Sequence, residues 1–132
     1  MSEKVVVLTL FAMIFFHIMD DFVLQRDLAL YKQKQWWKEN YPEKLYENDY
    51  ITALLIHSFS WTFMIHIPVV LFTYNNLNIA YFAMSFFINA VIHAITDDIK
   101  ANKRKISLTA DQLIHLLQIT LTWLALVVLV VL

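Results

Sequence analysis

Glycine and cysteine are both absent from the 132 residues of this chain. Without glycine, the sequence excludes P-loops, dinucleotide-binding loops and the close helix crossings of the GxxxG type. Without cysteine, it excludes disulfides, thiolate metal ligands and cysteine nucleophiles. A metal site in this chain must therefore use histidine, carboxylate or amide groups.

Charged residues are also scarce, at 16% of the chain against 60% hydrophobic residues. This balance is far from that of soluble proteins and predicts a chain that lies in a lipid bilayer. The formal net charge is −1. Because nucleic-acid-binding proteins need a surplus of basic surface, we predict no nucleic-acid partner.

Four windows of the sequence are apolar and long enough for a helix to cross a bilayer core of roughly 30 Å. They run over 5–24, 51–74, 79–97 and 109–132. The last is predicted to begin at a capping box, in which Thr109 is followed three residues later by Gln112. We therefore predict an all-α integral membrane four-helix bundle that forms a single domain over 1–132.

The longest connection, 26–49, mixes five basic residues with acids, tryptophan and tyrosine. This composition is typical either of a helix along the membrane interface or of a solvated connector, and the sequence does not decide between them. Four more basic residues lie between the third and fourth helices, whereas the second connection, 75–78, has none. The positive-inside rule then predicts a multi-pass inner (cytoplasmic) membrane protein with the first and third connections in the cytoplasm and both termini outward.

Histidine and aspartate occur at the helix ends that face these two basic connections. Three pairs are spaced four residues apart, which puts each pair on one helix face: His17 with Asp21, His93 with Asp97, and Asp111 with His115. His57 lies near the same end of the second helix. Imidazole and carboxylate donors that meet inside a bundle are typical of divalent-metal sites, and zinc, manganese and iron all fit. The sequence predicts that all seven residues are ligands, with a structural polar network and a proton or ion path as alternatives.

Two further carboxylates, Asp20 and Asp98, each adjoin a predicted ligand. We predict that they are catalytic, either as general bases or as carboxylates that orient a ligand. Neighbouring residues on a helix point about 100° apart. The alternative is therefore that these two side chains face away from the site.

Asp21 and Asp97 stand near the C-terminal ends of their helices, where the helix dipole disfavours an anion. Apolar surroundings raise the cost of the charge, so each should need a cation nearby. A metal ion, Lys100 and Arg26 are the candidates. Asp111 lies at the start of a helix, where the dipole alone also explains a carboxylate.

Three segments carry related motifs: HIMDDFVLQ from His17 to Gln25, HAITDDIK from His93 to Lys100, and DQLIHLLQ from Asp111 to Gln118. Together they resemble a bacterial and phage family of small integral membrane proteins, domain of unknown function 3307. The resemblance covers most of the chain apart from 26–49 and supplies no established activity. It implies roles for the predicted ligands and also for Gln25, Lys100 and Gln112, which we assign as substrate-binding residues. Asp20 departs from the family, whose members often have a small residue there, so a second carboxylate here can alter charge or coordination.

Three functions fit this pattern. The leading prediction is a membrane-embedded metal-dependent hydrolase, in which basic residues near Lys100 receive an anionic lipid or another phosphate-bearing substrate. The first alternative is an ion- or proton-conducting or transport subunit, although the outer helix halves look too apolar for one protomer to conduct. The second is a phage or bacterial membrane regulatory protein with a structural metal or polar network. The lipid bilayer is a partner in each case, and a homo-oligomer is a further candidate.

Overall fold

The computed structural model of the protein describes residues 2–128, which form helices and no strand. In chain order the elements are α1 (Glu3–Met19) with a π-helical turn (Asp20–Leu24), α2 (Leu28–Tyr31), α3 (Lys34–Asn40), a 3₁₀ turn (Lys44–Tyr46), α4 (Asp49–Thr73), a 3₁₀ turn (Tyr74–Asn76), α5 (Ile79–Ala101) and α6 (Leu108–Trp123) with a second π-helical turn (Leu124–Val128). Four stretches are long and apolar enough to cross a membrane: Glu3–Leu24, Lys44–Asn76, Ile79–Ala101 and Leu108–Val128. The predicted all-α architecture with four long apolar helices is confirmed.

The first long helix ends in a wider turn. The Gln25 N–H donates to the Asp20 carbonyl at 2.9 Å, five residues back instead of four. In such a π-helical turn successive side chains are rotated by less than in an α-helix, and Asp20 and Asp21 are both buried. The helix then ends before Arg26, whose φ of 41° lies in the left-handed region that glycine usually occupies.

The connector between α1 and α4 contains the short helices α2 and α3. Its indole and phenol groups pack on one another, and the Trp37 Nε1–H donates to the Tyr31 carbonyl at 2.6 Å. Asn102 ties the connector to the end of α5, because its Oδ1 accepts from the Lys34 N–H at 2.7 Å and its Nδ2 donates to the Lys32 carbonyl at 3.1 Å. The connector therefore lies against the end of the bundle where α5 finishes, and its position along a membrane interface stays a prediction.

Side chains cap the N-termini of two long helices, α5 and α6. Asn78 caps α5, since its Oδ1 accepts from the backbone N–H groups of the first turn. At α6, Ser107 is the cap instead of the predicted Thr109, because the Ser107 Oγ accepts from the Ala110 N–H at 3.2 Å and the helix already begins at Leu108. The predicted helix end at 129–132 lies outside the described residues.

The buried apolar side chains gather in one half of the bundle, where a few polar side chains such as Thr9, Thr62 and His66 are buried with them. The half formed by the start of α1 and the ends of α4 and α6 contains the apolar core: Val6, Met13, Trp61, Ile65, Val69, Ile119, Leu126 and Val127. The outer surface of the helices exposes more than half of several large apolar side chains, among them Phe11, Phe15, Phe63 and Leu121. Such an apolar exterior is expected of helices that are surrounded by lipid.

Ile65→Ala should destabilise the bundle, because Ile65 is fully buried and its truncation leaves a cavity. We expect the free energy of unfolding to fall by about 2–5 kcal/mol, which is measured as a lower thermal midpoint in detergent micelles. Ile56→Ala in the same helix is the matched control, since Ile56 is 53% exposed. Equal effects of the two substitutions would contradict this packing.

Candidate metal centre

The seven predicted ligands converge at the end of the bundle that the connector covers. They come from all four long helices: His17, Asp21, His57, His93, Asp97, Asp111 and His115. None of them is more than 8% exposed. Their donor atoms form two groups in which all atoms lie within 4.8 Å of one another: Asp21, His57 and His93, and His93, Asp97 and His115. These buried groups can hold a metal ion.

His57 Nε2 is the centre of the first group. It lies 3.1 Å from His93 Nε2, 3.3 Å from Asp21 Oδ1 and 3.4 Å from Asp97 Oδ2. Donor atoms bound to a common ion at about 2.1 Å are separated from each other by about 3.0–3.5 Å. Two imidazole nitrogens this close also need a hydrogen on one of them or a cation bound to both. The spacing around His57 therefore fits shared coordination of one ion.

Asp97 links the first group to His115. Its Oδ2 faces His57, whereas its Oδ1 lies 3.6 Å from His115 Nε2. His115 Nε2 is also 3.3 Å from Asp111 Oδ1, and neither of these two atoms has a hydrogen-bond partner. The two oxygens of one carboxylate thus face two different histidines.

A chain of hydrogen bonds runs from Trp61 through His17 to Gln112. The Trp61 Nε1–H can only donate, and it donates to His17 Nδ1 at 2.7 Å. The His17 hydrogen must then be on Nε2, which donates to Gln112 Oε1 at 3.0 Å. The Gln112 amide in turn donates to Asp21 Oδ2 and to Asp111 Oδ2, each at 3.1 Å.

This chain gives His17 and Gln112 roles that the sequence does not predict. Both nitrogens of His17 are engaged, so the structure does not offer His17 as a free metal ligand. Gln112, predicted to bind substrate, holds the Oδ2 atoms of Asp21 and Asp111 and leaves each Oδ1 without a hydrogen bond. Hydrogen bonds to the ligands of a metal site fix their orientation in this way.

Two lysines contact the buried carboxylates. Lys32 of the connector is buried, with its Nζ 2.5 Å from Asp97 Oδ2. Lys100, predicted to bind substrate, has its Nζ 2.6 Å from Asp111 Oδ2. A cation beside Asp97 is therefore Lys32, whereas a metal ion, Lys100 and Arg26 were the candidates from sequence. The spacing of residues in the sequence could not identify Lys32, because Lys32 lies in the irregular connector. Only the expected need of Asp97 for a nearby cation indicated that a positively charged group should be there.

The two predicted catalytic residues lie in different surroundings. Asp20 is buried, accepts from Ser60 Oγ at 2.6 Å, and has its Oδ2 3.5 Å from His57 Nδ1. It therefore lies next to the His57 ring on the Nδ1 side, although neither Asp20 Oδ2 nor His57 Nδ1 has a hydrogen-bond partner. Asp98 is turned away from the cluster and accepts from Asn102 Nδ2 at 2.9 Å. Adjacent residues of the α5 helix point about 100° apart, so Asp97 and Asp98 cannot both face inward.

Gln25, also predicted to bind substrate, lies at the edge of the cluster. Its Nε2 donates to the Asp21 carbonyl, and its Oε1 has no hydrogen-bond partner. The residue is partly exposed, unlike the candidate ligands. That oxygen atom is itself buried, so the structure does not present it to a substrate at the surface.

The cluster contains more negative than positive charge. In the described part of the chain, four buried carboxylates belong to it: Asp20, Asp21, Asp97 and Asp111. Two ammonium groups contact them, those of Lys32 and Lys100. With neutral histidines the excess is two negative charges. Uncompensated charge is costly in such a buried and apolar position, and one divalent cation compensates it.

Other buried polar groups lie apart from the cluster. His66 is satisfied by its own surroundings, since its Nδ1 is 2.8 Å from the Thr62 carbonyl and its Nε2 is 3.2 Å from Ser85 Oγ. A cavity of about 500 Å³ lies between α5 and α6, and its lining is mainly apolar and includes no candidate ligand. Neither feature contributes to the metal centre.

Three comparisons with known proteins found no match. No family model matches the chain, and no curated protein or solved structure does. The resemblance to domain of unknown function 3307 therefore stays a prediction. The function has to be argued from the geometry of the cluster.

His57→Ala should lower the metal content, because His57 Nε2 contacts three other donor atoms. His17→Ala should leave the metal bound, because both His17 nitrogens are occupied by Trp61 and Gln112. The measurement is metal content by plasma mass spectrometry after incubation of detergent-purified protein with zinc or manganese. His66→Ala removes a buried histidine outside the cluster and serves as the control. Equal loss of metal in the His17 and His57 variants would identify His17 as a ligand.

Proposed function

We propose that this chain is a membrane-embedded hydrolase that uses a divalent metal ion. The observation that carries the proposal is the position of His57 Nε2, which lies within 3.4 Å of donor atoms from Asp21, His93 and Asp97 in a buried site. Imidazole and carboxylate donors together suit zinc, manganese and iron. The excess of negative charge supports the same conclusion, since one divalent ion compensates it.

The reaction we propose is the hydrolysis of an ester. A divalent ion held by Asp21, His57, His93 and Asp97 would make a bound water nucleophilic near neutral pH, and the oxygen of that water would add to a carbonyl or phosphoryl centre. The bond from that centre to the leaving oxygen breaks, and a proton of the water ends on that oxygen. Lys32, which contacts Asp97, is positioned to stabilise the negative charge that develops on the attacked group. Asp20 is a positioning residue that orients His57.

The surface next to the cluster supports an anionic substrate. A hollow of about 560 Å³ lies between the connector and the end of α5, and Lys34, Lys38 and Arg104 contribute to its lining. Glu39 also lines the hollow, and Asn102 of the lining donates to the backbone carbonyl of Lys32, the connector lysine whose Nζ contacts Asp97. We therefore propose an anionic lipid or another phosphate-bearing ester as the substrate.

The transport alternative depends on the half of the bundle opposite the connector. A conducting path needs polar groups through the full depth of the bundle, and that half buries Met13, Ile65 and Ile119 together with the polar Thr62 and His66. Ion flux through vesicles that contain the purified protein tests this alternative. A regulatory protein with a structural metal differs from a hydrolase in its coordination. A closed set of protein ligands indicates a structural site, whereas a position open to water indicates catalysis.

We also propose that the protein is a multi-pass protein of the inner (cytoplasmic) membrane. Nine of its ten basic residues lie at the connector end of the bundle or in the loop after α5. The positive-inside rule then supports a cytoplasmic position for this end and an outward position for both termini. The metal centre would act at the cytoplasmic leaflet.

Ester hydrolysis by protein reconstituted into vesicles tests the proposed activity. With zinc or manganese and anionic phospholipids as substrates, we expect turnover that His57→Ala abolishes. Asp20→Asn should lower kcat by about 10–100-fold while the metal stays bound, because the orientation of His57 is lost. Asp98→Asn should leave turnover unchanged, since Asp98 faces away from the cluster. Full metal occupancy without hydrolysis of any lipid ester would instead support a structural metal.

The lack of native cysteine makes the topology testable with single introduced thiols. In intact cells, Asn76→Cys in the turn after α4 should react with a membrane-impermeant maleimide. Leu45→Cys in the connector, where Leu45 is 80% exposed, should react only after the membrane is opened. The reverse pattern would invert the orientation, although the cluster would still lie at the connector face.

A further inference from the structure

The cluster offers donor atoms for more than one ion, and we infer that it holds two divalent ions bridged by the Asp97 carboxylate. This inference rests on the metal centre of the proposed function. The first ion is the one described around His57. The second lies at His115 Nε2, which faces Asp97 Oδ1 at 3.6 Å and Asp111 Oδ1 at 3.3 Å.

The ring geometry of His93 separates the two positions. Its plane is inclined by 59° to that of His57, and the two Nε2 atoms face each other at 3.1 Å. Against His115, by contrast, the His93 ring is stacked, with centroids 4.2 Å apart and planes only 29° apart. The in-plane lone pairs of nearly parallel rings do not converge on one point. The donor atoms of His93 and His115 lie within 4.8 Å of one another, but these ring orientations favour His93 as a ligand of the first ion and His115 as a ligand of the second.

The donor atoms of the second position are buried and directed at each other. The His115 Nδ1–H donates to Gln118 Oε1 at 3.1 Å, which leaves the lone pair of Nε2 free. Asp111 Oδ2 is held by Gln112 and Lys100, which leaves Asp111 Oδ1 free. Both residues are fully buried. Two electron-rich atoms at 3.3 Å repel unless a cation or a hydrogen lies between them.

Lys100 competes with the second ion for Asp111. Its Nζ lies 2.6 Å from Asp111 Oδ2, and its side chain is 31% exposed, so it can turn towards solvent. If Lys100 leaves, the four carboxylates, Lys32 and two divalent ions have a net charge of one positive. A bridging hydroxide cancels that charge and is the nucleophile that two-ion sites use.

The number of bound ions per chain tests this inference. Full-length protein saturated with zinc or manganese should hold two ions per chain by plasma mass spectrometry. His115→Ala and Asp111→Asn should each hold one, whereas His66→Ala should still hold two. Lys100→Met should lower the Kd of the weaker ion by about tenfold, because a competing positive charge is removed.

A second measurement avoids any dependence on how the variants fold. Two Mn²⁺ ions that share a carboxylate give an exchange-coupled electron paramagnetic resonance signal in the unaltered protein, which we expect. A single ion per chain at saturation, with an uncoupled signal, would overturn the inference. If protein that binds a single ion at saturation hydrolyses the ester, the inference of a second ion is refuted and the proposed function stands. Two coupled ions without hydrolysis would overturn the hydrolase alone and leave the two-ion centre standing.

Discussion

A carboxylate that is removed from water must receive compensating charge or hydrogen-bond donors, and four carboxylates are buried at one end of this bundle. The local structure follows from that demand. The connector folds back so that Lys32 reaches Asp97, and Ser60 donates to Asp20 from α4. These contacts supply only part of the compensation. With neutral histidines, the remaining negative charge favours the binding of a cation by the cluster.

Some residues of the cluster orient the carboxylates by hydrogen bonds, and others are candidate metal ligands. Trp61, His17 and Gln112 form a fixed chain that reaches from the apolar core to two carboxylates. The direction of every bond in the chain is set by the indole N–H, which cannot accept. One oxygen of each carboxylate is thereby occupied, and the other is presented to the histidines. Trp61 of the apolar core thus influences which carboxylate oxygens face the histidines, several side chains away.

Four long apolar windows in the sequence were enough to predict four long helices, and the positions of the histidines and aspartates within those windows predicted their shared end. A spacing of four residues placed His93 and Asp97 on one face, and the structure brings them together. Spacing could not predict the part played by Lys32, because the connector has no regular period. Nor could it predict that Asp20 and Asp21 both face inward, since that depends on a π-helical turn. The hydrogen-bonded role of His17 depends on Trp61, whose aromatic ring looks like ordinary core in a sequence.

Gln112 has a consequence for the order in which the protein can be assembled. It contacts Asp21 of the first long helix from the last one, across 91 positions of sequence. Until α6 is in place, His17 and Asp21 therefore lack their contacts to Gln112. Trp61 of α4 can donate to His17 without α6, but the chain of hydrogen bonds that reaches both carboxylates is complete only when α6 has docked. The last long helix in the sequence thus completes the polar contacts of the first.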